Sequence, residues 1–235
     1  MNTYRKTAII VGILFLACTG ATLLSFPFGG SLLEDADYFS KLAARETSVI
    51  TGALIEFIWA GTCAGIAIAL YPILRRYNNS LALGAVAFRV IEGVFVLIGT
   101  ASLLSLLTLS QDFIRAGAPA ASSFQTSAVL LLAVRDWSHN VILSLAFSAG
   151  ALMYYAVLYS SNLIPRWLSG WGFLGVILGL VAILYATFTN SFGFESVHTY
   201  LSIPIGVNEI VLAIWLIAKG FNTSAIVAVS PRKPG

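Results

Sequence analysis

Six apolar stretches dominate the chain: Thr7 to Leu24, Ser48 to Leu74, Leu81 to Leu109, Asn140 to Ser160, Trp167 to Phe188 and Thr199 to Ala218. Each is long enough, at about 1.5 Å per residue, to cross roughly 30 Å of hydrocarbon as a helix. Lipid offers no hydrogen-bond partner to a backbone amide, so segments of this kind satisfy their own polar groups as helices. The expected fold is therefore all-α: a six-helix transmembrane bundle forming a single domain over residues 1–221, followed by a mobile tail over 222–235. Composition excludes the alternatives. Of 235 residues, 58% are hydrophobic and 10% charged, with a mean hydropathy of +0.90, whereas a soluble domain carries about 25% charged residues. The net charge of +3 is scattered, with no run longer than Arg75-Arg76, so no basic stripe exists for a nucleic acid.

The loop charges sort by side. Arg5, Lys6, Arg75, Arg76, Arg166, Lys219, Arg232 and Lys233 fall on one side of the six spans. The other side receives Glu34, Asp35, Asp37, Glu46, Asp112 and Glu195 against Lys41, Arg45 and Arg115. The positive-inside rule then predicts cytoplasmic N- and C-termini in a multi-pass protein of a bacterial inner (plasma) membrane. Phe15-Leu16-Ala17-Cys18 has the outline of a lipoprotein cleavage box, but the apolar run continues to Leu24, so the first helix is read as uncleaved.

Between the first two spans, Phe26-Pro27-Phe28-Gly29-Gly30 reads as a turn, and the amphipathic stretch from Asp37 to Ala44 as a short surface helix. Ser110 to Ser127 reads as an outer loop, with Thr126 to Trp137 starting a helix that makes the fourth span long or kinked. Gly61 with Gly65, and Gly175 with Gly179, put small residues on one helix face. That favours close packing inside the chain, with oligomerisation as the alternative use. Trp167, Trp171, Tyr159 and Tyr77 suit an interfacial aromatic belt. Pro165 suits the first turn of the fifth span, and Pro204 suits a kink upstream of Glu209. Cys18 and Cys63 sit at similar depths and read as small buried residues, with no disulfide framework or metal knuckle.

The informative residues are the charges inside the spans: Glu56, Arg89, Glu92, Arg135, Asp136, His139 and Glu209. An acid or base at a helix centre costs about 2.5–3.5 kcal/mol on insertion scales, so these side chains are expected to face the bundle interior, one another or water. Arg89 and Glu92, three apart, pair on one face, as do Asp136 and His139. Glu56 and Glu209 have no local base. Four acids against two arginines leave an excess of two negative charges, which a proton or cation would offset. The depths predict a polar pocket in the outer half of the bundle, opening outward. An internal salt-bridge network is the plain alternative.

No phosphate-binding loop, dinucleotide fingerprint, zinc-protease motif or nucleophile elbow occurs in the sequence. No cofactor is predicted. A metal, if one binds, would draw on His139, His198 and Asp136.

Several strings occur together: Leu70-Tyr71-Pro72-Ile73-Leu74-Arg75-Arg76, Phe88-Arg89-Val90-Ile91-Glu92, Pro165-Arg166-Trp167-Leu168 with Trp171-Gly172, and Glu209 with Trp215-Leu216-Ile217-Ala218-Lys219-Gly220-Phe221. On these the chain resembles the bacterial membrane-protein family labelled domain of unknown function 4386. The resemblance implies a six-helix inner-membrane protein and carries no activity. The leading functional expectation is a transporter- or sensor-like protein binding a proton, cation or small molecule. In it Glu56, Glu92 and Glu209 titrate or coordinate, Arg89 balances charge, and Asp136 with His139 relays at the outer mouth. The alternatives are a membrane-embedded metal-dependent hydrolase or lipid-modifying enzyme, and a non-catalytic structural or regulatory subunit.

Overall fold

The computed structural model describes residues 3–35, 37–117, 123–189 and 197–228, and among them every regular element is helical. Helix α1 (Thr3–Ser25) continues through a π-helical turn at Phe26–Gly30 into α2 (Ser31–Leu33). The short α3 (Tyr38–Ala44) leads to α4 (Glu46–Leu74) and α5 (Asn79–Arg115). Helix α6 (Ser123–Asp136) runs through a second π turn, Trp137–Ile142, into α7 (Leu143–Ser161), followed by α8 (Arg166–Thr189), α9 (Val197–Ala218) and α10 (Thr223–Ala228). Six of these helical runs are long and apolar enough to cross a membrane. The chain is a multi-pass membrane protein.

Helix boundaries depart from the apolar boundaries in three places. Helix α5 continues past Leu109 to Arg115, and the fourth span, long as expected from the stretch Thr126 to Trp137, runs 39 residues from Ser123 to Ser161, well before the apolar boundary at Asn140. Most of the stretch expected as an outer loop is therefore helical, residues 118–122 lying outside the described chain. Polarity marks where lipid ends, and helix continues wherever side chains find a packing partner. Ser110, Phe113 and Ala128 are buried, and Phe113 meets Phe124 edge-on. The third departure is Phe26–Gly30, where the chain stays helical in a wide π turn that tolerates the missing N–H of Pro27.

The spans close into a ring in sequence order: α1 packs on α4, α4 on α5, α5 on α7, α7 on α8, α8 on α9, and α9 back on α1. Arg5 fastens the closure. Its Nη1 donates to Leu216 O at 3.1 Å and its Nη2 to Ile217 O at 2.5 Å, satisfying carbonyls that the end of α9 leaves without helical partners. The start of α1 and the end of α9 thus lie together at one end of the bundle, here the terminal end.

The larger core, with Phe15, Ile66, Leu70, Leu158 and Leu216, fills the ring toward the terminal end. A second cluster of Leu42, Leu103, Leu106 and Ala128 sits beneath α3 at the opposite, loop end. Large apolar side chains such as Leu54, Phe57, Leu83 and Leu130 face outward, more than half exposed, as a lipid-facing surface requires. Of the small-residue faces, the Gly175 one is packed within the chain, where a Cβ would come 3.1 Å from Ile205; a Cβ at Gly65 would come 3.5 Å from Leu14, and one at Gly61, which is exposed, would meet nothing within 4 Å. Within the stretch expected as a tail, α10 buries Ile226, and Asn222 N donates to Leu163 O at 2.8 Å. Residues 229–235 lie outside the described chain.

Candidate functional site

Among the described residues, the strongly buried charges point into the ring. Glu56, Arg89, Glu92, Arg135 and Glu209 are 1–9% exposed. They form two groups, whose positions on α4 and α5 are seven residues apart, about 10 Å along each helix.

The loop-side group centres on Glu56 of α4 and Arg135 at the end of α6. Arg135 grips the carboxylate with two nitrogens, Nη2 to Oε1 at 2.5 Å and Nη1 to Oε2 at 3.1 Å, and Nη1 also donates to Gly99 O at 2.8 Å. The Thr100 hydroxyl lies 2.6 Å from Glu56 Oε2 and 2.8 Å from Val96 O, so Glu56 is held from α5 as well. His139, in the π turn that follows Arg135, stacks on Trp59 with ring centroids 5.5 Å apart and planes 3° from parallel. Its Nε2 is 3.9 Å from Glu56 Oε2, and neither ring nitrogen has a hydrogen bond. Gly99 makes room for it: a Cβ there would come 2.6 Å from His139 Nδ1. A bidentate arginine–carboxylate pair of this kind is geometrically demanding and strongly held.

The central group lies two turns nearer the terminal end. Arg89 and Glu92 form the expected pair, Nη1 to Oε2 at 2.9 Å, outside hydrogen-bond angles at that oxygen. Arg89 Nε donates to Cys63 O at 3.3 Å, its guanidinium lies 5.3 Å from the Phe147 ring centroid, and the Cys63 thiol donates to Glu92 Oε1 at 3.1 Å. Across the ring, Glu209 of α9 accepts only a long contact from the Thr19 hydroxyl, 3.5 Å to Oε2. Its Oε1 is buried without a hydrogen-bond partner, and so is the hydroxyl of Tyr154 on α7, which lies within electrostatic range of Glu209 and Arg89. Beside them Tyr155 donates to Asn208 Oδ1 at 2.6 Å and Asn208 Nδ2 to Leu168 O at 3.0 Å, tying α7, α8 and α9 together.

The seven residues singled out by sequence thus do not converge on one site. Glu56 has a base after all, supplied by Arg135 from 79 positions away. Arg89 with Glu92 is the only pair both expected and formed among those seven. The Asp136–His139 relay does not form: among the described residues Asp136 makes no hydrogen bond or ion pair. Asp136 instead faces the loop end near Tyr38, whose phenol is pushed up by burial first and by the Asp136 charge second. His198 opens α9 and its side chain lies outside the described residues. Among the described residues no three His, Cys, Asp or Glu side chains gather as a metal group. A cleft of about 510 Å³, bounded by Asn162, Pro165, Trp215, Lys219 and Phe221, opens at the terminal end, away from both charged groups. Sequence reasoning missed Thr100, Tyr154 and Asn208. All three carried a signal, being polar side chains deep inside apolar stretches.

Comparison with curated proteins and with solved structures gives no match. The family profile described as Domain of unknown function (DUF4386) matches residues 10–220, nearly the whole bundle, and the chain belongs to that family.

Proposed function

We propose that this protein is a proton-responsive, transporter- or sensor-like component of a bacterial inner membrane, with Glu209 as its proton- or cation-binding group. The observation that carries the reading is the pair of buried, unpartnered oxygens, Glu209 Oε1 and Tyr154 OH, beside an ion pair that is already balanced. A carboxylate buried from water without a counter-ion is expensive, and a proton or small cation removes the expense. Tyr154 supplies a second buried hydroxyl without a hydrogen-bond partner, within electrostatic range of Glu209. The sorting of Arg5, Lys6, Arg75, Arg76, Arg166 and Lys219 to the terminal end supports a cytoplasmic location for that end.

The test is a proton count on purified protein, titrated from alkaline to mildly acidic buffer with an indicator dye. Glu209→Gln is expected to take up one proton per chain fewer than the wild type, while Glu56→Gln leaves the count unchanged. Equal uptake by the wild type and Glu209→Gln sinks the reading.

A further inference from the structure

The chain has two cysteines, 45 positions apart, and the fold brings them together from different helices. Cys18 of α1 and Cys63 of α4 are free thiols, 5% and 0% exposed, with their sulfurs 3.6 Å apart. Closing that gap by about 1.5 Å would make a disulfide of about 2.05 Å.

The groups that disulfide chemistry needs are already against the sulfurs. Thiolate, not thiol, is the reactive form. The Cys63 thiol donates to Glu92 Oε1 at 3.1 Å, so a carboxylate is placed to take its proton. Arg89 Nη2 lies 3.9 Å from Cys18 Sγ, so a fixed cation is placed to hold negative charge on sulfur.

We propose that Cys18 and Cys63 form a dithiol–disulfide centre that passes two electrons to a lipid-soluble acceptor of the quinone class. The pair is buried within the membrane-spanning ring, so the acceptor that suits it dissolves in hydrocarbon and takes two electrons. In the forward step both S–H bonds break and one S–S bond forms. The two electrons and two protons convert quinone to hydroquinone, the Cys63 proton leaving by way of Glu92 and the other coming from Cys18. No atom of Glu209 enters this step, so its outcome is separate from that of the proton count.

The experiment adds a fully ring-substituted short-chain benzoquinone, which resists alkylation by thiols, to full-length anaerobic protein in detergent. Hydroquinone is followed by absorbance, and free thiols are counted by alkylation and mass after denaturation. The wild type is expected to lose both thiols and yield one hydroquinone per chain. Cys18→Ala and Cys63→Ala, checked for monodispersity, are expected to yield none. Glu92→Gln is expected to slow the reaction about 100-fold without changing its end point, as loss of a positioned proton acceptor does. Two alkylatable thiols remaining in the wild type after quinone overturns the proposal. So does a disulfide that forms with a general thiol oxidant but not with quinone, or the same hydroquinone yield from the variant lacking both cysteines.

Discussion

The two buried ion pairs share helices α4 and α5 yet differ in what surrounds them. At the loop side, both Glu56 oxygens face Arg135 nitrogens, Thr100 adds a third donor, and a backbone carbonyl takes up a further arginine hydrogen. In the central group, Arg89 is shared among Glu92, the Cys63 carbonyl and Cys18 sulfur, while Glu209 opposite has no basic partner within contact. The excess of two acids counted from sequence is resolved by this contrast. Two acids are neutralised by arginine, Asp136 turns toward the loop end, and Glu209 alone stays buried and unpaired. A carboxylate with both oxygens engaged, as at Glu56, behaves as a fastening, and an acid left without a base beside an ion pair, as at Glu209, is where a proton or cation has a reason to bind.

Four changes would break or sharpen this contrast. The largest effect is expected from Arg135→Ala, which strands Glu56 as an uncompensated buried charge at a cost of about 3–5 kcal/mol. Thermal unfolding in detergent reads it, and replacing Glu56 and Arg135 together with methionine should recover most of the loss, because a buried pair is worth little over well-packed apolar side chains. Next is Gly99→Ala, whose Cβ displaces His139 from its stack on Trp59. Overpacking of this kind costs about 1–3 kcal/mol, and a change in Trp59 fluorescence should accompany the lower midpoint. Glu209→Gln comes third: as no ion pair is lost, stability is expected to stay within about 1 kcal/mol of the wild type or to rise, in contrast to Arg135→Ala. A Glu209→Gln loss as large as that of Arg135→Ala would place both acids in one structural class. The smallest effect is expected at the exposed Lys41–Asp35 pair, with 46% and 40% of the two side chains exposed. Lys41, by hydrogen bonding first, holds the Asp35 carboxyl below its usual range. Any stability from this linkage is present above the ordinary carboxylate pKa and lost as pH falls through the lowered one. Solvent screens it, so Lys41→Ala should leave the unfolding midpoint unchanged across that pH range.

How legible the molecule is from sequence follows the same division. The six spans were readable because lipid enforces a local rule, about 20 apolar residues per crossing. Arg89 with Glu92 was readable because a three-residue spacing puts both on one helix face. The Glu56–Arg135 grip was not, because it joins residues 79 apart on different helices, a pairing no periodicity announces. Asp136 and His139, paired by spacing, separate in the fold. The helical stretch Ser123 to Asp136 was only half legible, since its polar face hid a helix that packs on α5 outside the apolar boundary. The two cysteines were correctly read as buried, but their contact depends on how α1 meets α4, which one chain's residues do not specify.

Infrared difference spectroscopy of the carboxyl C=O band, recorded on membranes shifted between alkaline and mildly acidic buffer, tests the division most directly. A protonated-carboxyl band that changes with pH in the wild type, persists in Glu56→Gln and vanishes in Glu209→Gln is the predicted result. A band that survives Glu209→Gln and disappears in Glu56→Gln would contradict it, making the arginine-gripped carboxylate the responsive one.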